Sequence, residues 1–384
     1  MGAVSILLLA LLLAFPGISI EGASGGLLLW YQVVLPTLSP FMICTQMVSV
    51  LGGMELLMKP FYPLLHGIFG LSLPGAYVML CGLLCGYPLG AKMCSDFCSE
   101  GRISREEAAY LLAICNHPSP MFLLGYVRSQ LPNDVPPALL FACLYLPVLP
   151  LSLLAGACYR NRPENPASGF AAQKTAPFMR NRRRAAGTDD DSRSGKKEPV
   201  KCCSADAVGS VRRRSLEEVI GSTCETMVLI GGYIMLFSIL AAWINHLKGL
   251  PLPVKAVLAG AAEITSGVHQ ICTLLPAEDT LPLVIGAVAF GGLSGIFQTK
   301  SVIRKSASGS FSECPAIKKN PALQDSPIPE RNGSGRYSGL SIRHYVIWKM
   351  LHAALSCLIL TLLLQFLPGQ AQECWQIIRC GWKR

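Results

Sequence analysis

CGLLCGYPLGAKMCSD (residues 81–96) closes an apolar run that ought to finish a transmembrane helix. It carries Gly82, Gly86, Gly90 and Pro88, and then brings Lys92 and Asp96 to the break. Backbone N–H and C=O groups cannot go unpaired in lipid, so a Gly/Pro break at membrane depth needs protein or water around it. Two arrangements fit. In one, two half-helices meet at GYPLG (86–90) as a re-entrant hairpin, whose helix ends can hold a ligand and whose glycines let it come close. In the other, GYPLG ends a helix at the surface and Lys92 snorkels to the interface.

Outward from this stretch the chain is apolar. Of 384 residues, 51% are hydrophobic and 15% charged, and the mean hydropathy is +0.44. Soluble domains average about 25% charged residues, so this composition describes an integral membrane protein. Apolar stretches of spanning length fall at about 3–20, 26–50, 74–95, 108–128, 137–159, 224–247, 253–274, 281–303 and 344–367. The expected class is an all-α polytopic membrane protein with eight or nine hydrophobic segments. The opening MGAVSILLLALLLAFPGISIEG lacks a basic n-region and a good cleavage site, and residues 1–20 read as an uncleaved first helix. Many of the 16 cysteines lie inside apolar runs, where they act as small hydrophobes.

Residues 160–214 break the pattern. They hold 14 Lys/Arg against 6 Asp/Glu, a net of +8, including RNRRR (180–184) and RRR (212–214). The expected structure is a disordered cytoplasmic loop that fixes orientation and rests on anionic lipid, with no nucleic-acid partner. A second polar stretch, 304–343, reads as a flexible loop. The basic loop divides the chain into halves of 26–159 and 215–303, followed by a last helix at 344–367 and a tail at 368–384. Each half holds one glycine-broken segment, 74–95 with GYPLG and 281–303 with GGLSG, spanning or re-entrant. Such a pair points to a transporter of inverted repeats with its site at the broken helices.

Polar residues inside apolar runs mark candidate site positions. LLAICNHPSPMFLLGYV (111–127) puts Asn116, His117 and Ser119 in the middle of an apolar span that Pro118 and Pro120 break. Before it, SREEAAYLL (104–112) reads as a capping box of Ser104 and Glu107. VLAGAAEITSGVHQI (257–271) places Glu263 in an apolar helix, and an acid inside a membrane is by default a functional candidate. Gln298 closes the second broken segment. The six histidines are scattered, and no GxSxG, HExxH or P-loop occurs. The expectation is therefore no enzyme, no metal and no cofactor.

LPTLSPFMI (35–43), GYPLGAK (86–92), the run from Glu107 to NHPSPMF (116–122), GYIMLFSIL (232–240), AAEITSG (261–267) and AFGGLSGIFQ (289–298) together resemble the YlbJ family. These are sporulation integral membrane proteins carrying nucleoside-recognition, or gate, domains. The domains are distantly similar to parts of concentrative nucleoside transporters and ferrous-iron permeases. The resemblance implies two gate-type halves in a multi-pass protein of the bacterial cell membrane, in a mother-cell or forespore-engulfing membrane, needed for spore cortex formation. It implies no particular substrate; the two broken segments and the polar residues between them give the expectation of a transporter or permease for a small polar solute, with a coupling ion and a homo-oligomer as further partners. The alternative is a non-transporting scaffold. The implied substrate-binding positions are Gly86, Tyr87, Pro88, Gly90, Lys92, Asn116, Glu263, Gly291, Gly292, Ser294 and Gln298. Lys92, Asn116 and Glu263 are expected to converge. His117-Pro118 departs from the small polar residues expected there.

Overall fold

The computed structural model describes residues 2–132, 135–159, 215–312 and 340–366. Among them every regular element is helical, and the chain is an all-α polytopic membrane protein. Five helices are long and apolar enough to cross a bilayer: Pro16–Val50, Pro137–Tyr159, Leu216–His246, Asp279–Ile303 and Ile342–Gln365. A sixth crossing is formed if Tyr62–Phe69 and Leu73–Cys85, bent by 97°, count as one span. The basic loop 160–214 and the tail 368–384 lie outside the described residues, as does most of 304–343. A helix runs on from Gly292 through Ser312 into that last stretch.

The crossings are fewer than the apolar stretches because several stretches do not run straight. The first helix, Gly2–Ala14, stops short of residue 20, and Pro16 opens the next, a position where its missing N–H costs nothing. That second helix passes through a π-helical turn at Trp30–Val34 and reaches Val50. Gly22 and Gly26 let it press on Ser238 and Ile239 of Leu216–His246, and Trp30 Nε1 donates to Met227 O at 3.1 Å.

The stretch at 74–95 is a helical hairpin. Its arms, Leu73–Cys85 and Leu89–Ser99, have 13 and 11 residues. At about 1.5 Å per residue neither reaches across the roughly 30 Å hydrocarbon core. Gly82 and Gly90 would be about 12 Å apart along a straight helix, yet both press on the carbonyl oxygen of Cys115. The chain therefore turns back at the tip, where Gly86 has φ +77° and the Tyr87–Pro88 bond is cis. Ser72 caps the first arm by accepting from Gly75 N. Only half of the expected capping box forms. Ser104 accepts from Glu107 N at 3.1 Å, but the Glu107 carboxylate takes Ser72 N and Ser72 Oγ at 2.8 and 2.9 Å instead.

The second hairpin is not at 281–303. That stretch is interrupted at Gly291 and Gly292, with φ +83° and +69°, but it still counts as one 25-residue crossing, Asp279–Ile303. The hairpin lies one segment earlier, in Leu252–Ala262 and Ile264–Leu274, which read as a plain span. Glu263 forms its tip with an extended backbone, and its side chain caps the second arm. Gly260 and Gly267 supply the close approach, since a Cβ on Gly267 would overlap the Gly260 backbone.

Each half thus contains a hairpin followed by an interrupted helix. In the first half the interrupted helix runs from Arg105 to Ile114, breaks over Cys115–Pro118, and resumes at Pro120 behind Ser119 as N-cap. Pro118 and Pro120 account for the break, since neither has an N–H to continue the ladder. The two hairpins open toward opposite ends of the molecule. One end joins Ser72 to Glu107, Ser95 to Ile303 and Trp348 to Tyr159. The other joins His269 to Gln130 at 2.9 Å and Lys255 to Asn245 O at 2.8 Å.

Candidate functional site

Both hairpin tips and both breaks face one cavity of about 50 Å³. Cys85 and Tyr87 come from the first tip, and Glu263, Ile264 and Thr265 from the second. Pro118 and Ser119 come from the first break, and Gly291 from the second, with Gln298 two turns beyond Gly291. Leu38, Phe122, Ile230 and Ile234 close the apolar side. The volume admits a few water molecules, well below the several hundred Å³ of a drug-sized pocket.

Among the described residues Glu263 is the one charged side chain lining the cavity, and it is 1% exposed. Its Oε2 accepts from Thr265 Oγ1 at 2.5 Å, Ser266 N at 2.8 Å and Ser266 Oγ at 3.0 Å. The carboxylate also sits at the N-terminus of Ile264–Leu274, where the helix dipole favours negative charge. Its other oxygen, Oε1, takes no hydrogen bond among the described residues. Neither ion pair among them involves Glu263; they are Lys92–Asp96 and Arg102–Glu100. A buried carboxylate held on one oxygen can accept a proton, a cation or a hydrogen-bond donor on the other.

The expected site residues divide into two groups. Tyr87, Glu263, Gly291 and Gln298 line the cavity. Gly292 packs on the Glu263 tip, its Cβ position 3.5 Å from Glu263 Cα. Ser294 is buried behind and accepts from Gln298 Nε2 at 2.9 Å. Gly86, Pro88 and Gly90 shape the first tip. A Cβ on Gly86 would stand 2.7 Å from His117 O, and one on Gly90 2.6 Å from Cys115 O.

Lys92 and Asn116 do not converge on Glu263. Lys92 Nζ pairs with Asp96 at 2.9 Å, one turn along the same arm. Asn116 Oδ1 accepts from Ala91 N at 2.9 Å and its Nδ2 donates to Leu112 O at 3.1 Å. It therefore ties the break to the start of the second arm and does not line the cavity. His117 also faces away from the cavity. Its Nε2 bonds Ile114 O, and its ring packs edge-on against His352 with centroids 4.9 Å apart. It is a core histidine.

Ser119, already marked by the 111–127 run, lines the cavity. Sequence reasoning missed three further contributors. Thr265 lines the cavity, and Tyr126 OH donates to Thr265 O at 2.6 Å, bracing the second tip from the first interrupted helix. Lys349 is 4% exposed within Ile342–Phe366 and donates to Asn116 O at 3.1 Å. A lysine in the apolar run VIWKMLHAAL (346–355) was the signal that could have found it.

No family model matches the chain, and no solved structure matches it. Among curated proteins, the chain is similar to the sporulation integral membrane protein YlbJ of Bacillus subtilis (strain 168), at 28% identity over 235 residues. That alignment covers 60% of this chain and 53% of the relative, so the chain spans about half the length of the curated protein it matches.

Proposed function

We propose that this chain is a sporulation membrane protein that transports a small polar solute, bound at Glu263 between the two hairpin tips. The observation that carries the reading is the cavity itself. Two hairpins opening toward opposite ends of the molecule meet two interrupted helices around one buried, half-satisfied carboxylate. This is the arrangement that an inverted repeat gives to a midplane binding site, with each hairpin gating one face. The similarity to YlbJ supports the sporulation setting. The resemblance to nucleoside-recognition domains supports a gate-type site, and a role in cortex formation in the mother-cell or engulfing membrane follows from the same source. A coupling ion, lipid at the basic loop and a homo-oligomer belong to this reading.

One observation favours a non-transporting scaffold. The cavity, about 50 Å³, holds water but not a solute unless a tip moves. Ligand-dependent thermal stability of the purified protein separates the two. The panel holds nucleosides, sugars, peptidoglycan precursors, dipicolinate and divalent metals. A ligand at 100 times its Kd adds about 2.7 kcal/mol. A rise for one solute class that disappears in Glu263→Gln, with the variant still inserted and folded, supports transport. Silence across the panel from a well-folded protein moves the assignment to the scaffold.

A further inference from the structure

Lys349 stands about 10 Å along the C-terminal helix Ile342–Phe366 from its start, buried and outside both ion pairs of the described residues. Burying an ammonium without a carboxylate costs more than burying an apolar side chain of the same shape. Part of its role is local. Asn116 O would bond residue 120 in a continuous helix, but Pro120 has no N–H, so Lys349 Nζ takes that carbonyl at 3.1 Å. A neutral donor would serve equally well there. The charge has a second use: Nζ lies 5.0 Å from the centroid of the Tyr87 ring. Lys349 Cε also lies 3.5 Å from where a Cβ on Gly291 would stand, and the Tyr87 ring packs 3.4 Å from the same point. One side chain therefore touches the first hairpin tip and both breaks.

We propose that Lys349 is the positioning residue of the cavity wall. Its ammonium holds the Tyr87 ring, and with it the tip of the first hairpin, against the two breaks through a cation–π contact in a desolvated setting. The functional meaning rests on the cavity being the solute site, but the holding of the tip can be tested without a solute.

The test is the alkylation rate of individual cysteines by N-ethylmaleimide in the full-length purified protein, read by mass spectrometry. Cys85 lines the cavity two residues from Tyr87, and Cys143, fully buried within Pro137–Tyr145, is the control. Lys349→Met is expected to speed Cys85 labelling about fivefold or more through local opening of the tip, with Cys143 unchanged. Tyr87→Leu should do the same, and the double variant should add nothing further. Lys349→Arg, which keeps a cation over the ring, should stay within about twofold of wild type. An unchanged Cys85 rate in Lys349→Met overturns the proposal. So does a parallel rise at Cys143, which would make the lysine a support of the whole fold, or an arginine variant no better protected than methionine. The labelling needs no solute, so a ligand panel that stays silent would sink the transport reading without touching this one.

Discussion

Among single residues, the contrast between Glu263 and Lys92 is the most instructive. Lys92 stands beside a glycine-rich break and Glu263 inside an apolar run, and both were expected in the site. In the structure Glu263 keeps an oxygen for the cavity, whereas Lys92 is satisfied by Asp96 on its own arm at 2.9 Å. The i, i+4 spacing on a helix explains the pair, and it was visible once residues 89–99 were read as helix. Lys92→Leu is therefore expected to lower stability by about 1–3 kcal/mol in thermal unfolding through loss of this pair. Any ligand response that depends on Glu263 should survive in the variant. Loss of the response with the fold intact would return Lys92 to the site.

Elements are decided by short backbone devices. The first tip turns on Gly86, whose φ of +77° lies where L side chains are strained, and its Cβ position is 2.7 Å from His117 O. Gly86→Ala should lower stability by about 2 kcal/mol or more. Gly125→Ala meets nothing within 4 Å and should be neutral or slightly stabilising as a helix residue. Equal melting temperatures for the two variants would mean that the tip does not need its glycine. The second hairpin has no such glycine at its tip. Glu263 ends one arm and caps the next, so the acid that carries the chemistry also makes the turn. This is why 253–274 read as a plain span: its composition stays apolar through a reversal that one capping side chain performs. Conversely, Gly291 and Gly292, which read as a break in a spanning or re-entrant segment, interrupt a helix of spanning length.

At the scale of the whole molecule, a second hairpin at 252–274 changes the sidedness that the charge rule gives. If 281–303 were the hairpin, the two hairpins of an inverted repeat could not open on opposite faces while both basic stretches stayed on one. A cytoplasmic basic loop would instead send Leu216–His246 outward, let the hairpin 252–274 dip in and return, and bring Asp279–Ile303 back, with Ser312 on the cytoplasmic side. Site-specific labelling should place cysteines introduced at Arg102 and Lys248 on opposite faces, with Arg102 cytoplasmic. Both labels on one face would refute the arrangement. Removal of residues 165–210 is expected to leave any Glu263-dependent ligand stabilisation within about twofold in apparent affinity, since the cavity walls among the described residues come from the packed helices. A collapse of the response would point to the scaffold reading.

Composition and apolar run lengths by themselves determined that the chain is helical and membrane-embedded. Those properties follow from the cost of leaving backbone groups unpaired in lipid, which every residue of a run bears alike. The Gly/Pro signature of GYPLG and the proline pair around Ser119 also located a hairpin tip and a break, because these residues act on their own backbone. The partners were not legible. That Asn116 spends itself on Ala91, that His117 turns to His352, and that Tyr87 meets Gly291 and Lys349 depend on segments up to 262 residues apart. Only the packed helices decided which buried charge was left with an oxygen to offer, because satisfaction of a polar group is a property of its neighbours in space.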